Sequence, residues 1–153
     1  MRQIFYKAKT AEIPPSGGAD SVVIGSDKPA LAFDYADGAV WTNEYPLDFN
    51  AQNIRLKLYV SSEDSGNFYF IAGIDRREFG DDQTQNSYGT IINVSGILYE
   101  PNKLNFGYGI FSSGDLDNVQ PGDMFRLALQ RNTGNNDLSS SIHVYGVSLE
   151  CLG

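Results

Sequence analysis

From residue 30 onward, short apolar stretches with period-two alternation recur, separated by clusters of Gly, Asn, Asp and Ser. A helix needs apolar residues three and four positions apart, so this pattern leaves almost no room for helices and commits the chain to strands and turns. It predicts strands near 30–35, 39–45, 53–61, 67–75, 88–99, 103–111, 123–131 and 141–150. That is about the number of strands in an eight-stranded jelly roll, and the expected fold is all-β, an antiparallel two-sheet sandwich.

NIRLKLYV shows the alternation most clearly. Ile54, Leu56, Leu58 and Val60 share one face, whereas Arg55, Lys57 and Tyr59 share the other, which is therefore wet or in contact with a partner. In DMFRLALQR, Phe125, Leu127 and Leu129 form the core face. NFYFIAGI is apolar on both faces, as expected in the middle of a sandwich or under an interface. In KLNFGYGIF, Leu104, Phe106, Tyr108 and Ile110 alternate with Asn105, Gly107 and Gly109, so something packs closely on the glycine side. The loops 61–67, 80–87 and 132–141 are rich in turn formers.

A chain of 153 residues can bury a core without disulfides or a structural metal. The single cysteine, Cys151, supplies no disulfide framework and no CxxC metal knuckle, and is expected to be inert packing. The formal net charge of −8 argues against a phosphate-binding body, so no nucleic-acid partner is expected. The most apolar run, 68–74, is far shorter than the roughly 20 residues that cross a bilayer as a helix, and no membrane partner is expected. The opening MRQIFYKAKTAEIPP lacks the apolar stretch of a signal peptide and is expected to stay on the protein.

Pro14-Pro15 followed by Ser16-Gly17-Gly18 forbids both helix and central strand. Residues 1–28 therefore read as an extended N-terminal arm, and residues 29–153 as the sandwich domain. The first ten residues hold Arg2, Lys7 and Lys9 and no acid, so arm and body differ in sign. Ile4, Phe5 and Tyr6 are too apolar for a free tail and are expected to bury against the body or a neighbouring subunit.

The catalytic inventory is thin. His143 is the only histidine and sits in the strand-like run SIHVYGVSL without a partner acid, so neither a triad nor a His-based metal site can be built on it. The acid pairs Asp34 with Asp37, Glu63 with Asp64, Asp81 with Asp82, and Asp115 with Asp117 all fall in expected turns, where Asp serves its own backbone. The run 114–118, GDLDN, could offer oxygens to calcium but lacks the EF-hand ligand pattern. No enzyme, cofactor or metal is expected. Trp41, with nine tyrosines in the chain, is the candidate platform for a sugar. Arg131 and Asp137 are expected to form a charge-assisted bond that pins the loop before the last strand.

The segments LAFDYADGAVWTNEYP (31–46) and GDMFRLALQRNTGNNDLSSSIHVYGVSLE (122–150) resemble the start and end of a family of small β-sandwich proteins encoded among the virion genes of tailed bacteriophages. A Phe-Asp opening leads to a strand ending at Pro, and the close of the family is matched by Gly122, Asp123, Arg131, Asp137, Leu138, Gly146, Val147 and Leu149. Residues from about 61 to 120 depart from it, and the arm has no counterpart. The resemblance implies a jelly roll like those of capsid decoration (cement) proteins, which sit as trimers on the outer shell. On that basis the chain is expected to be a non-enzymatic virion protein, made in the host cytoplasm and mounted on the capsid exterior. Its expected partners are the major capsid protein and copies of itself, with Arg2, Ile4, Phe5, Tyr6, Lys7 and Lys9 of the arm docking it. The alternative is a carbohydrate- or receptor-binding β-sandwich module of a tail or head fibre.

Overall fold

A computed structural model describes residues 2–46, 48–49, 53–78, 80–82, 84, 88–132, 134 and 137–152. It contains ten strands: β1 (Arg2–Lys7), β2 (Asp20–Ile24), β3 (Lys28–Phe33), β4 (Gly38–Glu44), β5 (Ile54–Ser61), β6 (Gly66–Arg77), β7 (Ile92–Leu98), β8 (Asn105–Phe111), β9 (Met124–Arg131) and β10 (Ile142–Cys151). The last eight correspond to the eight strands predicted by alternation. All pair antiparallel, in the order β2-β3-β10-β5-β8-β7-β6-β9-β4, with β1 also on β10. The sheet curls over at the β7–β8 junction, whose ladder is registered at the single pair Ser95–Tyr108. Its two halves thereby face each other across one core, giving an antiparallel β-sandwich of jelly-roll type. Phe33 of β3 meets Phe70 of β6 edge-on at 5.3 Å, and Tyr6 of β1 meets Phe125 of β9 at 6.4 Å.

The expected division at residues 28/29 is absent, because the first 28 residues are woven into the sheet. β1 pairs with β10 over six residues, from Arg2–Cys151 to Lys7–Gly146, and β2 pairs with β3. Ile4 packs on the core and Tyr6 is buried within it. Between β1 and β2 the chain crosses to the opposite half of the sandwich. There Glu12 exchanges both backbone hydrogen bonds with Val40, and the Gly38 amide donates to Gly17. The Pro-Pro and Gly-Gly stretch is therefore the crossover along the free edge of β4, not the root of an arm. Pro and Gly suit such a segment because it makes few ladder bonds, and Gly17 takes a positive φ of 71°.

The core follows the period-two pattern. Ile54, Leu56, Leu58 and Val60 of β5 are fully buried, as are Phe125, Leu127 and Leu129 of β9. In strand β8 the glycine side is the inward one. Its bulky residues Phe106, Tyr108 and Ile110 are exposed, and Gly107 and Gly109 face the core. The cause is the buried Phe68 ring, which lies on the β7 and β8 backbones. A Cβ on Gly107 would stand 2.7 Å from the ring, and one on Gly96 would stand 2.6 Å from it. The close partner on the glycine side is thus Phe68.

At the other end of the core, Arg131 is wholly enclosed. Its guanidinium donates to the carbonyls of Phe33 (2.9 Å), Ser140 (2.8 Å) and Leu138 (2.5 Å), and to Asp137 Oδ2 at 3.4 Å. It ties β3, β9 and the loop before β10 into one unit. Burial pushes the Asp137 carboxyl up, and the Arg131 charge opposes that push. Arg131→Ala strands two buried carbonyls, the part-buried Ser140 carbonyl and a carboxylate, so it is expected to lower the unfolding free energy by about 3–5 kcal/mol in urea titrations. Gly107→Ala overpacks the Phe68 site, with an expected loss of about 1–3 kcal/mol by the same measurement.

Candidate functional site

The side chains that leave the core on β1, β10, β5 and β8 form a continuous grid. Register places Lys7, Gly146, Tyr59 and Phe106 in one row across the four strands. The next row is Phe5, Ser148, Lys57 and Tyr108, and the third is Gln3, Glu150, Arg55 and Ile110. Phe5 is 45% exposed, Phe106 40% and Tyr108 43%, which is unusual for aromatic residues so close together in a sheet.

Contacts within the grid hold the rings in place. Phe5 meets Tyr59 edge-to-face at 5.1 Å and 89°, and Tyr59 meets Phe106 in the same way at 5.4 Å and 88°. Phe5 reaches Tyr59 by lying across β10 at Gly146, where an added Cβ would come within 2.6 Å of its ring. The ladder between β10 and β5 is irregular between Val144 and Gly146. This bulge inserts Tyr145 beside Gly146, and its hydroxyl and that of Ser61 share a hydrogen bond of 2.6 Å. Gln3 Nε2 donates to the Tyr59 hydroxyl and to Ser148 Oγ, each at 3.3 Å. The Lys57 ammonium lies 4.2 Å from the Phe106 centroid and 5.0 Å from that of Tyr59, and the Arg55 guanidinium lies 5.0 Å over Tyr108. At the edge of the grid, Phe5, Tyr59, Tyr145 and Leu104 line an open depression of about 440 Å³ whose polar rim is Lys28 and Asn102. An apolar floor with a few polar groups around it is the usual make-up of a small-molecule or glycan site.

The residues expected to carry function are distributed differently. Trp41 is not a platform: it is fully buried, and its Nε1 donates to the Lys7 carbonyl at 3.0 Å. Alternation along β4 turns Ala39 and Trp41 inward and Val40 and Thr42 outward, so the sole Trp anchors the end of β1. Among the arm residues, Phe5 and Lys7 face outward in the grid, and Lys9 is exposed beyond it. Ile4 and Tyr6 face inward. Arg2 pairs with Cys151 through its backbone, and its side chain lies outside the described part of the structure. Arg131 and Asp137 meet in the buried cluster at the far end of the core. Cys151 is buried and unpaired by any disulfide.

The acids serve turns and ion pairs. Asp37 accepts from the Asp34 amide at 2.8 Å, Asp81 from the Glu78 amide at 2.7 Å, and Asp117 from the Arg76 amide at 2.9 Å. Asp64 accepts from the Ser140 hydroxyl. Hydrogen bonds from Thr84 and from Ser112 hold the Asp82 and Asp115 carboxyls below the usual carboxylate range. A general acid needs the opposite shift. Asp115 and Asp117 turn to different partners, so the 114–118 run does not converge its oxygens, and among the described residues no three His, Cys, Asp or Glu side chains gather for a metal. A polar cleft of about 350 Å³ at the end of β6 is lined by Arg76, Arg77, Asp82 and Asp117. Its cations are engaged in structural pairs, Arg77 with the fully buried Asp75 at 2.9 Å and Arg76 with Asp123 at 2.7 Å.

The outward row Arg55, Lys57 and Tyr59 was legible as a wet or contacted face. Phe106 and Tyr108 could not be assigned to it from alternation, because a strand of glycines and aromatics reads equally well with either face inward. Tyr145 depends on the bulge, which has no sequence mark beyond Gly146.

By sequence, the chain matches no protein-family model and no curated protein. By structure, it is similar to the CBM36-1 domain of a multidomain xylanase from the hindgut metagenome of Trinervitermes trinervoides, with a TM-score of 0.58, 10% identity and 99% of each chain covered. It is similar to the xylan-binding module CBM15, with a TM-score of 0.55 and 12% identity over 99% of this chain and 97% of that one. It also covers 18% of a cycloisomaltooligosaccharide glucanotransferase from Paenibacillus sp., with 94% of this chain aligned, a TM-score of 0.57 and 9% identity. At these identities the likeness defines the fold, a β-sandwich of the kind found in carbohydrate-binding modules, and function has to come from the site.

His143 lies on β10 beside Ala32 and Ser61, and burial pushes its imidazole down. A depressed folded value favours the neutral ring, so its stabilising contribution is present above the unfolded value of about 6.5 and is lost as pH falls. The urea midpoint is expected to fall between about pH 7 and about pH 5, and to fall less in His143→Gln.

Proposed function

We propose that this chain is a non-catalytic carbohydrate-binding β-sandwich module that holds a polysaccharide against the aromatic grid of β1, β10, β5 and β8. The observation that carries this reading is the display of Phe5, Tyr59, Phe106 and Tyr108 on one sheet face, next to a depression with a polar rim. A sugar ring has apolar C–H faces and a hydroxyl edge. Exposed ring faces with amide, hydroxyl and ammonium groups around them match both parts. Similarity to a xylan-binding module and to a xylanase's CBM36-1 domain supports a polysaccharide as the class of ligand.

A second reading is attachment to a virion surface as a decoration protein, alone or as a trimer. The contiguous apolar exposure of Phe106, Tyr108, Ile110 and Ile97 favours a protein partner of that kind. It is the weaker reading, because the segment expected to reach the shell already spends its backbone on β10 and its Tyr6 on the core. Affinity electrophoresis in gels containing soluble xylan and β-glucans separates the two. Retardation of the wild type is expected with at least one polymer. Phe106→Ala and Tyr59→Ala should each weaken it by at least about tenfold while the circular dichroism spectrum of the folded protein is retained. Trp41→Ala should instead destabilise the fold by about 3–5 kcal/mol. Binding to no polysaccharide, together with co-sedimentation with capsids, would replace this reading with the second.

A further inference from the structure

We infer that the polysaccharide taken by this face is anionic, a uronic-acid polymer, with Lys57 as the residue that selects for its carboxylates. The inference rests on the carbohydrate-binding reading above and adds the ligand's charge.

Charge is segregated on this molecule. Acids outnumber bases by nineteen to eleven over the chain, yet the three rows of the grid hold Lys7, Arg55 and Lys57 against a single acid, Glu150. Glu150 is 3% exposed and is bound to Arg55 Nε, so its charge is spent inside the protein. Lys28, on the rim of the depression, is paired with Asp27 at 3.0 Å. Among the described residues, no carboxylate oxygen lies within 4.0 Å of the ammonium of Lys57 or of Lys7. Among the described residues, Lys7 and Lys57 are thus cations without a carboxylate partner on the aromatic face of an acidic protein.

Lys57 occupies the middle of the grid, between Ser148 on one side and Tyr108 on the other. The faces of Phe106 and Tyr59 steady its ammonium without neutralising it. A lysine ammonium carries three donors, and a ring face leaves them free to meet a carboxylate in charge-assisted hydrogen bonds. A sugar stacked on Phe106 would bring its substituents beside this group. Lys7 lies two strands away, roughly 10 Å across the sheet, so a ligand that meets both lysines is an oligomer and not a single sugar. The net negative charge of the chain does not prevent this. At physiological salt, charges beyond about 8 Å are largely screened, and the local pair of cations governs contact.

The test compares polygalacturonate with its carboxyl-reduced, neutral counterpart in affinity electrophoresis, using wild type, Lys57→Gln, Lys57→Arg and Phe106→Ala. Wild type is expected to bind polygalacturonate at least about tenfold more tightly than the neutral polymer, the scale of one charge-assisted hydrogen bond. Binding should weaken as salt rises from about 0.05 M to about 0.5 M. Lys57→Gln should remove most of the preference, Lys57→Arg should retain it, and Phe106→Ala should weaken binding of both polymers. Equal binding of the two polymers by wild type, or an unchanged preference in Lys57→Gln, would overturn the inference and leave the carbohydrate-binding reading standing. Failure of wild type to bind either of these polymers, while it binds xylan or a β-glucan, would also overturn the inference alone. Failure to bind any polysaccharide would overturn both.

Discussion

The contact between the Phe68 ring and the side-chain-free backbone at Gly96 and Gly107 governs the surface of this protein. The ring fills the space where inward side chains of β7 and β8 would stand, and any Cβ there would overlap it. Strand β8 can then present its large residues only to the outside. Phe106, Tyr108 and Ile110 thus become surface groups because a residue of a different strand has taken their place in the core. The rings brace one another along this face, yet Phe5, Phe106 and Tyr108 still leave much of their surface in water, and that exposure is the ground for proposing a binding surface there.

A second constraint follows from how the first strand is used. β1 lies on the outer half of β10, and Trp41 caps its end through the Lys7 carbonyl. This places Phe5 over Gly146 and in contact with Tyr59, which completes the row of rings that begins on β8. The N-terminal segment builds the face from within the same chain. The Glu12–Val40 pairing closes the far seam, so the crossover that feeds β1 into one half of the sandwich also protects the edge of β4.

Charge is handled in two ways. At Arg131 and at Asp75 it is enclosed, paired and spent on holding loops to strands, which leaves it unavailable for chemistry. On the aromatic face it is exposed at Lys7 and half-buried at Arg55 and Lys57, Arg55 being paired with Glu150 and Lys57 cushioned by rings. The acidic turns complete the pattern, because their carboxylates are engaged with nearby amides and hydroxyls. The functional reading therefore falls on a face with stacking surfaces and cations, not on the acid pairs.

Period-two alternation by itself determined that this chain is an antiparallel β-sandwich, where eight of its strands run, and which faces of β5 and β9 are core, since strand geometry forces alternate residues to opposite sides. It also marked Arg55, Lys57 and Tyr59 as an outward set. Other features depended on partners far away in the chain. Arg2–Lys7 became a strand because β10 had a free edge for it, which no local pattern in RQIFYK announces. Phe106 went outward because Phe68, on another strand, fills the inward side of β8. Which aromatic residue meets solvent is a matter of volume in a close-packed core, and volume is shared out only when all the strands are assembled.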